Sequence, residues 1–134
     1  MKKTFKMNLA LASTSTIFFW KLEKRDTTFF TLVHFTGNSS VTYDEIKQAH
    51  LDQGQPEIGF HYIIDAQGQI LMGRHASKIG AHYSEFDETS LGICVIGSRH
   101  DLEDSQSIAL TLLLENLKAE FPKIEKVKYI YKEN

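Results

Sequence analysis

Thr28-Phe29-Phe30-Thr31-Leu32-Val33-His34-Phe35 is a run of β-branched and aromatic residues with one histidine near its end. A run of this kind reads as a strand buried on both faces, the type found in the middle of a sheet covered by helices. Gly37-Asn38-Ser39-Ser40 breaks it, and Thr42-Tyr43-Asp44-Glu45 opens a helix. Thr42 and Glu45 have capping-box spacing, in which a hydroxyl and a carboxylate each satisfy a free backbone N–H. That helix is expected to reach about His50 and to end near Gly54.

Downstream, Pro56 and Gly59 precede a strand over Phe60-His61-Tyr62-Ile63-Ile64. Asp65-Ala66-Gln67-Gly68 reads as a hairpin loop and Gln69-Ile70-Leu71-Met72 as its returning strand. A loop rich in Gly, His and Ser covers 73 to 90, and Leu91 to Gly97 forms a continuous apolar strand. From Ser105 to Phe121, the residues Ile108, Leu112, Leu113, Asn116 and Leu117 predict an amphipathic helix stopped by Pro122. Lys126 to Tyr131 reads as a last short strand. Upstream, Phe5, Met7, Leu9 and Leu11 alternate with Thr4, Lys6, Asn8 and Ala10, the period of a half-buried strand, and Ile17 to Leu22 is a second apolar run. The order β, β, α, β, β, β, α, β predicts an α/β (α+β) fold, with a single central mixed sheet flanked by helices. It divides into an N-terminal strand extension over 1–25 and one domain over 26–134.

Composition narrows the function classes. The 134 residues carry a formal net charge of −2 and no basic block, so no row of cations stands ready to neutralise phosphates, and nucleic acid is not an expected partner. The lone cysteine, Cys94, has no second cysteine in the chain for a disulfide, which sets aside a disulfide-stapled scaffold. No apolar run is long enough to span a bilayer. Lys2, Lys3 and Lys6 followed by Ala10-Leu11-Ala12 have some look of a signal peptide, but the apolar stretch is too short. A strand and a cytoplasmic setting are the favoured readings.

Four segments then line up in order with one family. They are Val33-His34-Phe35-Thr36; Glu45 to His50 with Gly54; Ile58-Gly59-Phe60-His61-Tyr62-Ile63-Ile64; and Gly73-Arg74 with Gly80-Ala81-His82, Ser90-Leu91-Gly92-Ile93 and Gly97. Together they resemble N-acetylmuramoyl-L-alanine amidases of the amidase-2 type, which include short phage lysozymes and share their fold with peptidoglycan recognition proteins. The resemblance implies an open zinc site with three protein ligands, a bound water and an oxyanion-stabilising tyrosine.

Carried over residue by residue, that set is incomplete. His34 fits the first ligand position, as a ligand or as a polar remnant lining a groove. Phe60 stands where the family has tyrosine. Ile130, Tyr131 and Lys132 fill the neighbourhood expected for a second histidine, and the sequence reaches Asn134 before a third ligand. Cys94 lies in an apolar strand, where burial keeps a thiol protonated and inert. His34, Thr36, Phe60 and His82 are therefore the expected substrate-binding residues, with His34 a vestigial metal position.

The other histidines read more plainly. His61 should alternate away from Phe60 and serve as a satisfied interior group, and His50 should be structural. His82 reads equally as a ligand contact and as loop packing. His75, His100 and the acidic stretch Glu85, Asp87 and Glu88 read as solvated surface. The expectation is a degenerate, C-terminally truncated amidase-like domain, with no cofactor, that binds a peptidoglycan fragment or a protein partner. A homodimer is a further possibility, because Phe18, Phe19 and Trp20 exposed together would form an interface-sized apolar patch. The alternatives are a working zinc-dependent amidase and a truncated gene product that folds without function.

Overall fold

The computed structural model describes residues 22–131. The expected strand over Phe5 to Leu11 and nearly all of the apolar run from Ile17 lie outside the described residues, as does the aromatic cluster of Phe18, Phe19 and Trp20.

Five strands make one mixed sheet: β1 (Phe30–Phe35), β2 (Tyr62–Ile64), β3 (Ile70–Met72), β4 (Ser90–Val95) and β5 (Lys126–Ile130), in the order β3-β2-β4-β1-β5. β1 is an interior strand, next to the central β4, and pairs in parallel with β4 and with β5. β2 also runs parallel to β4, and β3 is an antiparallel edge strand returning through the hairpin. Gly68 closes that hairpin with φ of 86°, where a side chain would strain the backbone, and Asp65 Oδ1 accepts the N–H groups of Gln67 and Gln69.

Two helices provide the crossovers. α1 (Tyr43–Asp52) links β1 to β2 and α2 (Asp104–Glu120) links β4 to β5, each passing over one strand. The capping box of α1 is formed as read: Thr42 Oγ1 accepts the Glu45 N–H, and Glu45 accepts the Thr42 N–H. Each helix covers a different apolar cluster. α2 packs on Val33, Ile64, Leu91, Ile93 and Val95. Ile46 of α1 packs with Ile58, Ile63, Cys94 and Ile96.

The buried stripe of α2 differs from the one expected. Gln106, Ala109, Leu110, Leu113 and Leu117 face the sheet, whereas Ile108 and Leu112 are 60% and 54% exposed and Asn116 is exposed. Hydropathy alone selects Ile108 and Leu112. Gln106 takes an inward position because its amide donates to the carbonyls of Asp65 and Ile96, satisfying two backbone groups at strand ends. The strand expected from Phe60 starts only at Tyr62.

The orientation of α2 predicts unequal costs for two leucines on one helix. Leu117→Ala should destabilise the protein by about 2–5 kcal/mol, the usual range for a core leucine. Leu112→Ala should change stability by no more than about 0.5 kcal/mol. Urea unfolding midpoints check both.

Candidate functional site

The sheet face covered by α1 carries the site. His34 near the end of β1 is in register with Cys94 on β4 and with Ile130 on β5, so the three side chains share that face. Together with Phe35, Thr36, Ile46, Phe60 and His82 they line a pocket of about 330 Å³. A larger hollow of about 860 Å³ lies beyond the C-terminal ends of β1, β2 and β4, lined by Asn38, Gln67, Asp101, Glu103 and other polar groups. It holds none of the chemistry-bearing residues singled out in the sequence, so the smaller pocket is the candidate.

Three rings converge there. His34 lies 5.1 Å from Phe60 and 5.1 Å from His82, centroid to centroid, and Phe60 lies 6.0 Å from His82. Tyr83 extends the aromatic wall, 6.2 Å from His34 and stacked at 5.8 Å on Phe86. The Thr36 hydroxyl is engaged in the loop: it donates to the Asn38 carbonyl and accepts N–H groups from Asn38 and Gly97.

His82 has no solvent-exposed side-chain surface, and its Nδ1 lies 3.0 Å from His34 Nε2. Its ring rests against β4 where Gly92 has no side chain; a Cβ at Gly92 would sit 2.5 Å from the imidazole. A Cβ at Gly80 would meet the same ring at 2.9 Å, so two glycines make the slot. Asp87 Oδ1 accepts the backbone N–H of His82 and of Tyr83, which pins the turn carrying the ring. The acidic stretch is thus not all solvated surface. Asp87 is a structural acceptor, and only its spacing of four and five residues from those amides hinted at it.

His61 is the satisfied interior histidine expected. It is fully buried, accepts the Gly92 N–H at Nδ1 and donates from Nε2 to the Lys78 carbonyl. It is not segregated from the site, however, because its ring lies 5.9 Å from His82. Period-two alternation applies only inside a strand, and β2 begins one residue later. His50 is structural in a specific way: its Nδ1 accepts the Gly59 N–H at 2.7 Å and its ring packs 5.3 Å from Phe60. His75 and His100 are exposed.

Two arginines hold the loop that delivers His82, chiefly through carbonyl oxygens. Arg74 is 2% exposed and donates to the carbonyls of Ile58, Glu57 and Ile79 and to the Gln55 amide oxygen. Arg25 donates to the carbonyls of Ala76 and Lys78 and to the Thr28 hydroxyl. Read in sequence, Arg25 belongs to a charged turn, and nothing in its neighbours signals this buried role. Burial, with these cations nearby, pushes His82 well below the usual histidine range and His61 down to about 4, so both rings are neutral at pH 7.

An open zinc site needs three converging ligands. Among the described residues no three His, Cys, Asp or Glu side chains converge in that way. His34 and His82 turn nitrogens toward each other at hydrogen-bond distance. Of the residues near the expected second ligand, Ile130 lines the pocket, while Tyr131 stacks on Phe35 at 6.1 Å under the Arg99 guanidinium. Lys132 lies outside the described residues. The described residues therefore do not fit zinc by themselves.

Comparison with known proteins places this geometry. Residues 24–132 match the amidase-2 model, described as N-acetylmuramoyl-L-alanine amidase. The chain is 31% identical over 110 residues to an endolysin of Enterobacteria phage K11, covering 75% of this chain and 73% of that protein. It is 27% identical over 78 residues to peptidoglycan-recognition protein SC1a of Drosophila melanogaster, covering 52% and 42% of the two chains. The endolysin N-acetylmuramoyl-L-alanine amidase LysCS from Clostridium intestinale has the same fold, with a TM-score of 0.75 at 23% identity over 81% of this chain and 72% of that one.

Two outcomes follow from the site's packing. Gly92→Ala should cost about 1–3 kcal/mol by overpacking, because the new methyl must displace the His82 ring; chemical denaturation measures it. The second concerns pH. A histidine whose folded pKa is depressed leaves the unfolded chain binding more protons, so stability falls as pH drops from about 6.5 toward about 4. For His61 the full loss is on the order of 3 kcal/mol. Urea midpoints should fall across that window, and His61→Gln should flatten the fall.

Proposed function

Because the chain belongs to the N-acetylmuramoyl-L-alanine amidase family, we propose that it binds a muramoyl-peptide fragment of peptidoglycan in the His34–Phe60 pocket and holds it without cleavage. The observation that carries this reading is Phe60. Its ring packs against His34 at 5.1 Å, so the family's aromatic wall is kept while its phenolic donor is gone. Aromatic walls with a few fixed polar groups are what a small-ligand pocket requires. Cleaving the muramoyl-L-alanine amide further requires a donor or cation at the developing oxyanion and an activated water. Loss of one such donor costs about 100-fold to 1000-fold in rate. The described residues also bring no three metal-binding side chains together, which supports the same reading.

In this account His34 supplies the polar contact, Phe60 and Tyr83 supply apolar ring faces, and Thr36 closes the loop at the pocket's edge. The test is calorimetric titration of the full chain with N-acetylmuramoyl dipeptide, beside a chromatographic assay for released peptide with and without added zinc. Saturable binding that weakens about tenfold in His34→Ala, with no peptide released, is the expected result. That factor corresponds to one hydrogen bond of about 1.4 kcal/mol. Zinc-dependent release abolished by a chelator would establish a working amidase instead, and no binding in the unaltered protein would remove the proposal altogether.

A further inference from the structure

One edge of the sheet is open. Among the described residues β5 pairs with β1 alone, at the end of the strand order. The Glu125 N–H donates to the Phe29 carbonyl, and along a parallel ladder every second amide repeats that direction. The amides of Val127 and Tyr129 therefore point to β1, and those of Lys126, Lys128 and Ile130 point away from it. Such a row of donors and acceptors is a template for a further strand. The Lys128 side chain leaves it clear, because its ammonium lies back over the rings of Phe30 and Phe86, 5.1 Å from each. On the face covered by α2, Val127 and Tyr129 stand in register with Thr31 and Val33. Val127 packs on the α2 cluster, yet Tyr129 is left 44% exposed at its rim.

We propose that the segment from Phe5 to Leu11 of this same chain adds to the free edge of β5 as an antiparallel strand, laying Phe5, Met7, Leu9 and Leu11 on the α2 face beside Val127 and Tyr129. Its alternation supplies what that place needs: an apolar face toward the cluster, and Lys6 and Asn8 on the side of the pocket. The tether fits as well. The described chain begins at Leu22, and Arg25 to Thr28 share a hollow with Glu120 to Lys123, just ahead of β5. Residues 12–21 reach up to about 33 Å when extended, while β5 is only roughly 17 Å long. An antiparallel strand ends where β5 begins, which is where this connection returns. Tethering also favours this occupant over a second copy of the chain, because a short linker holds its segment at an effective concentration on the order of millimolar. The opposite edge is a poorer place: β3 has three residues, and its Met72 carbonyl already accepts the Tyr43 hydroxyl. Ile130 lines the His34–Phe60 pocket, so a strand beyond it gives the pocket an outer wall.

Amide hydrogen exchange, followed by NMR on the full chain and on a variant lacking residues 2–12, tests this. In the full chain the amides of Lys126, Lys128 and Ile130 should exchange slowly. In the shortened chain they should lose that protection, while Val127 and Tyr129 keep theirs. Cross-strand NOE contacts between residues 5–11 and β5 should accompany the protection, in a protein that sediments as a monomer. Met7→Pro combined with Asn8→Pro removes a donor toward β5 in either register, and it should reproduce the loss if the shortened chain does not fold. Free exchange at the three amides in the full chain overturns the proposal, whether or not either variant folds. So does protection that survives the deletion. Protection that rises with protein concentration together with a dimer mass overturns it too, and assigns the edge to a second copy.

Discussion

The imidazole of His82 lying on the bare backbone of Gly92 is the contact on which the rest of the site depends. It brings a loop residue against the middle of the sheet, behind the one histidine that β1 contributes. The side-chain-free stretch of β4 has to be glycine at that point, because any Cβ would occupy the ring's place. The neighbouring Gly92 N–H is in turn accepted by His61, so one residue seats one histidine and orients another. Burying uncharged polar rings is tolerable only when each nitrogen has a partner, and here every buried side-chain nitrogen and oxygen among the described residues has one.

A loop of this length would be mobile unless held, and the holding is done from behind. Arg25 gathers the carbonyls of Ala76 and Lys78, Arg74 ties that of Ile79 to those of Glu57 and Ile58 before β2, and backbone bonds from Arg25 to Ser77 and from Ile79 to Glu23 fasten the loop to the chain preceding β1. Charged donors on carbonyls make stronger hydrogen bonds than neutral ones, which suits them to fixing irregular backbone. The same buried cations help keep His61 and His82 neutral. Burial is the larger cause of that neutrality, and the two arginines add to it.

Much of this was legible in the sequence, for identifiable reasons. β1 announced itself because β-branched and aromatic residues fill both of its faces, and α1 because Thr42 and Glu45 form a capping box. His34 and Phe60 were found through family motifs, and the fold brings their rings together. Hydropathy misread α2, where Gln106 is buried through its hydrogen bonds while Ile108 and Leu112 face outward. The roles of Asp87 and Arg25 were missed because each acts on backbone atoms that the fold, not the local sequence, brings within reach. A polar residue gives no local sign of which carbonyl it will meet.

The measurement that bears most directly on the account is a backbone and side-chain chemical-shift map recorded as N-acetylmuramoyl dipeptide is added. Shifts concentrated at His34, Phe60, His82 and Tyr83 are predicted, since the small aromatic pocket is held to be the binding seat. Shifts confined instead to Asn38, Gln67 and Asp101, around the larger polar hollow at the strand ends, would contradict it.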